Sequence, residues 1–202
     1  MTADLPPAPI RSLITGGVRS GKSRLAESRI AQMADGGRGG PVTYLAPGPV
    51  PDPAVDLEWA DRIERHRRRR PADWVTVETT DVAAALTRAD GPVLLDDLGT
   101  WVTAVLDAGD SPDGTAGPSG WELPGDAAVD LVQAHVDALV AAWRTAPGPL
   151  VAVTNEVGLG VVPEHRSGRL FRDALGLANQ HLAAACDEVL LVVAGRVLVL
   201  PA

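Results

Sequence analysis

The chain is 202 residues long, 46% apolar and 22% charged, the usage of a folded globular domain, which excludes wholesale disorder and collagen-like structure. Twenty-six acidic against 18 basic side chains leave a net charge of −8; this disfavours general nucleic-acid binding, which needs a basic face to displace counterions, and leaves specific anion binding open. No apolar run reaches the roughly 18–20 residues of a membrane span, and the opening MTADLPPAPIRS lacks the basic-then-apolar order of a signal peptide, so a cytoplasmic protein is expected.

A proline-rich lead, residues 1–10, is expected to be flexible, with one domain over 11–202. Arg11 to Thr15 is a short apolar run ending in glycines and reads as a buried strand. The helix KSRLAESRIAQMA follows and is stopped by GGRGG. VTYLA at 42–46 is the second strand, PGPVPDPA a loop, and Val55 to Arg69 a charged helix. WVTVE at 74–78 is a third strand, DVAAALTRA a helix, and PVLLDD at 92–97 a strand with the continuous apolar character of a sheet covered on both faces. Short crossovers between these strands imply parallel pairing. Residues 107–126, rich in Gly, Pro and Asp, read as a long mobile loop or lid. Ala127 to Thr145 is an amphipathic helix, LVAVT at 150–154 a buried strand, Ser167 to Ala185 a helix, and EVLLVVAGRVLVL a terminal hairpin turning at Ala194 and Gly195. The expected architecture is a three-layer α/β domain with a mostly parallel sheet and an antiparallel edge hairpin.

Of the 18 basic residues only one, Lys22, is a lysine. It lies in Gly16, Gly17, Val18, Arg19, Ser20, Gly21, Lys22, Ser23, which fits G-x-x-x-x-G-K-[ST] between a predicted strand and a predicted helix. Glycines let backbone N–H groups turn inward around a phosphate, the helix N-terminus adds partial positive charge, Lys22 bridges outer phosphates and Ser23 can ligate Mg²⁺. The motif in this context points to a Mg²⁺–nucleoside triphosphate site, and the expected fold is a P-loop NTPase-like (RecA-like) domain. A second Mg²⁺ ligand is expected at the end of a neighbouring apolar strand, and VLLDD offers Asp96, which follows directly on the apolar run; Asp97 reads more readily as the cap of the next helix.

DRIERHRRRRPADW sets His66 between Arg65 and the run Arg67, Arg68, Arg69, Arg70. Such a run can be a solvated helix end that complements the dipole. It can equally clamp a polyphosphate, which would relieve the repulsion among successive arginines. Their charge disfavours imidazolium and keeps His66 neutral, available as nucleophile or base. His135, His165 and His181 read as structural or solvent-exposed. Cys186, the lone cysteine, reads as a small core residue.

Together these blocks resemble the bifunctional adenosylcobinamide kinase and adenosylcobinamide-phosphate guanylyltransferase family of cobalamin biosynthesis. The similarity runs through ITGGVRSGKSRLAE at 14–27, YLA at 44–46, DLEWADRIERHRRRRPADWVTVE at 56–78, LLDDLGTWV at 94–102, TNEVGLGVVP at 154–163 and RLFRDALGLANQHLAAACDEVLLVVAG at 169–195. The resemblance implies that His66 attacks the α-phosphate of GTP and carries GMP to the acceptor phosphate. It also implies a nucleotide pocket of Gly16 to Ser23, Ala46, Pro47, Gly48, Arg67 to Arg70, Glu78 and Asp96, and a homotrimer. The kinase half would use the same loop, with GTP or ATP as donor, Lys22 and Mg²⁺, on the hydroxyl of adenosylcobinamide. Glu78 suits the N1–H and amino donors of guanine; a plain surface role at the end of its strand is the alternative. Asn155 and Glu156 are either substrate-side groups or caps of the turn that follows their strand. The chain departs from the family pattern in the PVPDPAV insertion, in the long 107–126 loop and in Asp97, where a cysteine or apolar residue is expected. The competing readings are a P-loop kinase of another small metabolite and a non-catalytic nucleotide-dependent regulator or RNA binder.

Overall fold

A computed structural model describes residues 11–35, 40–48 and 70–201 of the chain. The elements are β1 (Arg11–Gly16), α1 (Lys22–Asp35), β2 (Thr43–Ala46), β3 (Val75–Glu78), α2 (Val82–Arg88), β4 (Val93–Asp96), α3 (Leu98–Ala108), α4 (Gly125–Thr145), β5 (Leu150–Val153), α5 (Arg166–Ala183), β6 (Glu188–Val193) and β7 (Arg196–Leu200). The charged helix expected over 55–69 lies outside the described residues, as do residues 1–10.

Strands with apolar side chains on both faces demand cover on both faces, and the sheet receives it. Its order is β3-β2-β4-β5-β1-β6-β7; every pair is parallel except the β6–β7 hairpin. Along each strand alternate side chains part to opposite sides. Leu13, Leu45, Val93, Leu95, Leu150 and Ala152 join the buried residues of α2 to α5. Ile14, Tyr44, Leu94, Val151, Val153, Leu190 and Val192 pack with Ala26 and Ile30 of α1. The result is the expected three-layer α/β domain, one helical layer on each side of the sheet.

Local chemistry sets the ends of the helices. Asp81 caps α2, its carboxylate accepting from the Ala84 N–H at 3.1 Å, and Asp97 caps α3 through Thr100 N–H at 2.6 Å. α3 stops at Gly109, whose φ of 69° takes the left-handed conformation that closes a helix at least cost. From there to α4 the chain is fastened to the body: Gly120 N–H donates to the Leu106 carbonyl at 2.7 Å and Trp121 Nε1 to Asp107 at 2.6 Å. Arg166 also donates to the carbonyls of Trp121 and Leu123. The terminal hairpin turns, as expected, on Ala194 and Gly195, both with positive φ, the twist that suits a two-residue connection.

Candidate active site

Parallel pairing brings the carboxyl ends of β1 to β5 to one edge, where an open α/β sheet presents its crevice. The register gathers the candidate residues there: Ala46 opposite Glu78, Leu45 opposite Leu95, Asp96 opposite Val153 and Ile14 opposite Val153. The phosphate loop from Gly16 to Ser23, Ala46 to Gly48, Glu78 and Asp96 therefore share one rim, although they are scattered over 80 residues of sequence.

The loop has the form that phosphate binding asks for. β1 ends at Gly16, where a Cβ would lie 2.4 Å from the Val192 carbonyl oxygen and 2.9 Å from Ser20 Oγ, so only glycine passes. Arg19 and Gly21 hold φ values of 58° and 101° and turn the backbone inward. Lys22 opens α1, is 8% exposed, and reaches back across the loop to donate to the Gly17 carbonyl at 3.3 Å. Thr15 Oγ1 and Ser20 Oγ are buried hydroxyls with no hydrogen-bond partner among the described residues, a shortage that acceptor oxygens of a phosphate would supply. The hairpin turn braces the loop from behind, Gly195 N–H donating to the Ser20 carbonyl at 2.9 Å.

Beside the loop, Ser23 Oγ lies 3.5 Å from Asp96 Oδ1, and Tyr44 Oη donates to Asp96 Oδ2 at 2.7 Å. Burial raises the Asp96 carboxyl from 3.8 to about 6, the charge of neighbouring Asp97 adds to this, and the Tyr44 hydrogen bond opposes it. Tyr44 is itself raised above the ordinary phenol value, by burial first and then by the Asp96 charge, so it remains a donor. The residues fit a magnesium ion in kind: two hard oxygens, one an alcohol and one a desolvated carboxylate, whose 3.5 Å separation would have to close by about 0.6 Å to reach the ~2.9 Å between adjacent ligands of an octahedron of ~2.05 Å radius. A cation there would also reverse the penalty of holding Asp96 ionised.

The other expected residues divide. Asp97 is a helix cap, as the sequence suggests, and its second oxygen accepts from Asn155 Nδ2 at 3.3 Å. Glu156 caps the turn after β5, accepting from Gly158 N–H at 2.7 Å, the second of the two readings offered for it. Asn155 is held in a chain of amides, its carbonyl accepting from Asn179 Nδ2 at 3.1 Å while Thr154 Oγ1 donates to Asn179 Oδ1 at 2.6 Å. Arg70 is brought to the site, its guanidinium carbon 3.2 Å above the centre of the Tyr44 ring. His66, Arg67, Arg68 and Arg69 lie outside the described residues. Of the remaining histidines, His135 contacts the Asp110 carbonyl at 2.7 Å, His181 lies 3.2 Å from Gln133, and exposed His165 precedes α5.

Tyr44 lies in the YLA block at 44–46, where the sequence pattern gives it no role. The signal was available: it is the single tyrosine of the chain, it lies in an apolar strand, and a buried phenol must find a partner. Nothing in the sequence pattern pointed to the Thr154–Asn179–Asn155 chain, because its members meet only when α5 packs beside β5.

Comparison with known proteins agrees with this geometry. The family model described as "Cobinamide kinase / cobinamide phosphate guanyltransferase" matches residues 12–200. The bifunctional adenosylcobalamin biosynthesis protein CobU of Escherichia coli (strain K12) is 44% identical over 188 residues, 91% of this chain and 95% of the relative. CobU of Salmonella typhimurium is 42% identical over 188 residues, with the same coverage. The bifunctional protein CobP of Pseudomonas aeruginosa is 36% identical over 190 residues, 92% of this chain and 94% of the relative. A match of this extent spans the phosphate loop, the arginine-flanked histidine and the terminal hairpin alike, and the chain belongs to the cobinamide kinase and cobinamide phosphate guanyltransferase family.

Proposed function

We propose that this chain phosphorylates adenosylcobinamide and then transfers GMP from GTP to the resulting phosphate through a covalent GMP on His66, giving adenosyl-GDP-cobinamide. The observation that supports it most is the juxtaposition at one rim of a phosphate loop with Lys22 folded across it, the Ser23–Asp96 oxygen pair, and Arg70 from the end of the arginine run.

In the kinase step the cobinamide hydroxyl oxygen attacks the γ-phosphorus of ATP or GTP and gives up its proton to solvent, the bond to the β–γ bridging oxygen breaks, and the nucleoside diphosphate leaves. Lys22 and the inward N–H groups of the loop hold the outer phosphates and take up the charge that develops on them. In the transferase step a nitrogen of neutral His66 attacks the α-phosphorus of GTP and pyrophosphate departs with the bridging oxygen. An oxygen of cobinamide phosphate then attacks the same phosphorus and the P–N bond breaks. Arg67 to Arg70 stabilise the leaving pyrophosphate. Ser23 and Asp96 are the residues that would hold Mg²⁺, which when bound neutralises phosphate charge. Glu78, paired in register with Ala46 at the end of β3, would accept from the guanine N1–H and amino group; adenine would leave it unsatisfied. A homotrimer completes the reading, and among the described residues no helix is long and apolar enough to cross a membrane.

Incubation with α-labelled GTP tests the covalent route. The wild type should retain acid-labile, base-stable label and His66→Ala should retain none. A wild type without label, still phosphorylating cobinamide, would reduce the protein to a kinase.

A further inference from the structure

Tyr44 touches both halves of the proposed machinery and belongs to neither. It is 3% exposed and projects from the middle of β2 onto the α1 face of the sheet, among Leu94, Val151 and Ile30. Its hydroxyl donates to Asp96 Oδ2 at 2.7 Å. Its ring is the floor beneath Arg70, whose guanidinium is also tied by Nη1 to Thr76 Oγ1 at 3.1 Å. The Arg70 Nε is buried and has no hydrogen-bond partner among the described residues; the aromatic face of Tyr44 and the Thr76 hydroxyl both help to hold the cation in place.

A carboxylate at the end of a strand can rotate about its last torsion, which is broad. Here one oxygen is taken by the phenol, and the rotation that satisfies it leaves Oδ1 facing Ser23. The same ring sets the height and lateral position of the last arginine of the run that follows His66. One side chain thus fixes the orientation of the candidate metal ligand and the seat of Arg70.

We propose that Tyr44 is a positioning residue for both partial reactions, its hydroxyl orienting Asp96 toward the metal and its ring seating Arg70 against the triphosphate. The inference rests on the reading of Asp96 as a metal ligand. It separates two functions within one side chain, because Tyr44→Phe removes only the hydroxyl and Tyr44→Leu removes the ring as well.

The test uses the full-length protein with Mn²⁺ as a paramagnetic stand-in for Mg²⁺ and a GTP analogue that cannot be hydrolysed. Tyr44→Phe should weaken Mn²⁺ binding, read by electron paramagnetic resonance, by about tenfold, the scale of one hydrogen bond to a charged group. It should raise the Mg²⁺ concentration needed for half-maximal phosphorylation, and for half-maximal GMP labelling of His66, by a similar factor. Tyr44→Leu should in addition lose at least about tenfold in the rate of GMP labelling, the scale of one charged contact to a departing phosphate. A merely structural tyrosine would lower thermal stability without this split. Because the chain has a single tyrosine, uniform 3-fluorotyrosine labelling yields one ¹⁹F resonance in an otherwise native protein, and bound Mn²⁺ should broaden it. Loss of that broadening in Asp96→Asn is the expected result for the metal reading. Unchanged Mn²⁺ affinity in Tyr44→Phe, with affinity lost in Asp96→Asn, would overturn the inference and leave the metal reading standing. Unchanged affinity in Asp96→Asn would overturn both.

Discussion

Asp96→Asn should make the metal-free protein more stable at neutral pH. The Asp96 carboxyl is raised from 3.8 to about 6 in the fold, so the folded state holds its proton more tightly than the unfolded chain does. The stability from that proton is fully present below about pH 4 and is lost as pH rises through about 6. Above pH 7 the ionised carboxylate therefore costs the fold up to about 3 kcal/mol, at 1.36 kcal/mol per pH unit over the interval from 3.8 to about 6. Asp96 keeps part of its surface open to solvent, which makes that figure a ceiling. Asparagine carries no charge at any pH, and its amide oxygen can still accept from Tyr44. At about 2–4 °C per kcal/mol for a chain of this size, the variant should melt up to about 6–12 °C above wild type at pH 8, with the difference shrinking toward zero near pH 4. The assay is thermal unfolding of both proteins in EDTA from pH 4 to 8. Adding Mg²⁺ with nucleotide should stabilise the wild type more than the variant, since only the wild type gains the carboxylate–metal contact. A difference that stays flat with pH, or an asparagine variant less stable at pH 8, would refute the assignment of a desolvated carboxylate at this position. A residue retained at a cost to the fold is the usual mark of chemistry that needs it.

Three further outcomes are expected. Lys22→Ala should abolish both phosphorylation of cobinamide and GMP labelling of the protein, measured separately; survival of either would show that the two reactions do not share the loop. Gly16→Ala places a methyl 2.4 Å from the Val192 carbonyl oxygen, so the loop must move; a loss of about 1–3 kcal/mol in stability is expected, together with weaker GTP binding by calorimetry. Asp97→Ala removes the cap of α3 and the acceptor of Asn155 and should cost about 1–2 kcal/mol by chemical denaturation, whereas Asp97→Asn should cost less, keeping the cap through its amide oxygen while its NH2 can no longer accept from Asn155. Mg²⁺ activation unchanged in the alanine variant would separate its role from that of Asp96.

How far the site was legible depended on whether its parts are local. The phosphate loop could be read directly, since a strand, eight consecutive residues and a helix suffice to build it, and the motif carries its own geometry from Gly16 to Ser23. Asp97 as a cap was legible for the same reason: its carboxylate meets an N–H three residues ahead. Glu156 was not decidable in advance, because the same side chain could cap its own turn or face a substrate, and the hydrogen bond to Gly158 settles only the first. Tyr44 escaped because its partners are 26 and 52 residues away along the chain.

The alternation of apolar runs with amphipathic segments determined the element types, and the continuous apolar character of β1, β4 and β5 determined that the sheet would be covered on both sides, since burying such strands on one face alone would leave the other wet. The composition likewise fixed the net charge at −8, because charge is additive along a chain whatever its fold; this disfavours general nucleic-acid binding but does not decide where the basic side chains gather. Strand order was a different matter. That β5 would insert between β4 and β1, setting Asp96 at the distance where its oxygen approaches Ser23 and its neighbour Tyr44 can hold it, is decided by how helices of particular length and shape pack across the sheet. Such packing is a sum of many weak contacts among residues distant in sequence, and only the assembled tertiary structure adds them up.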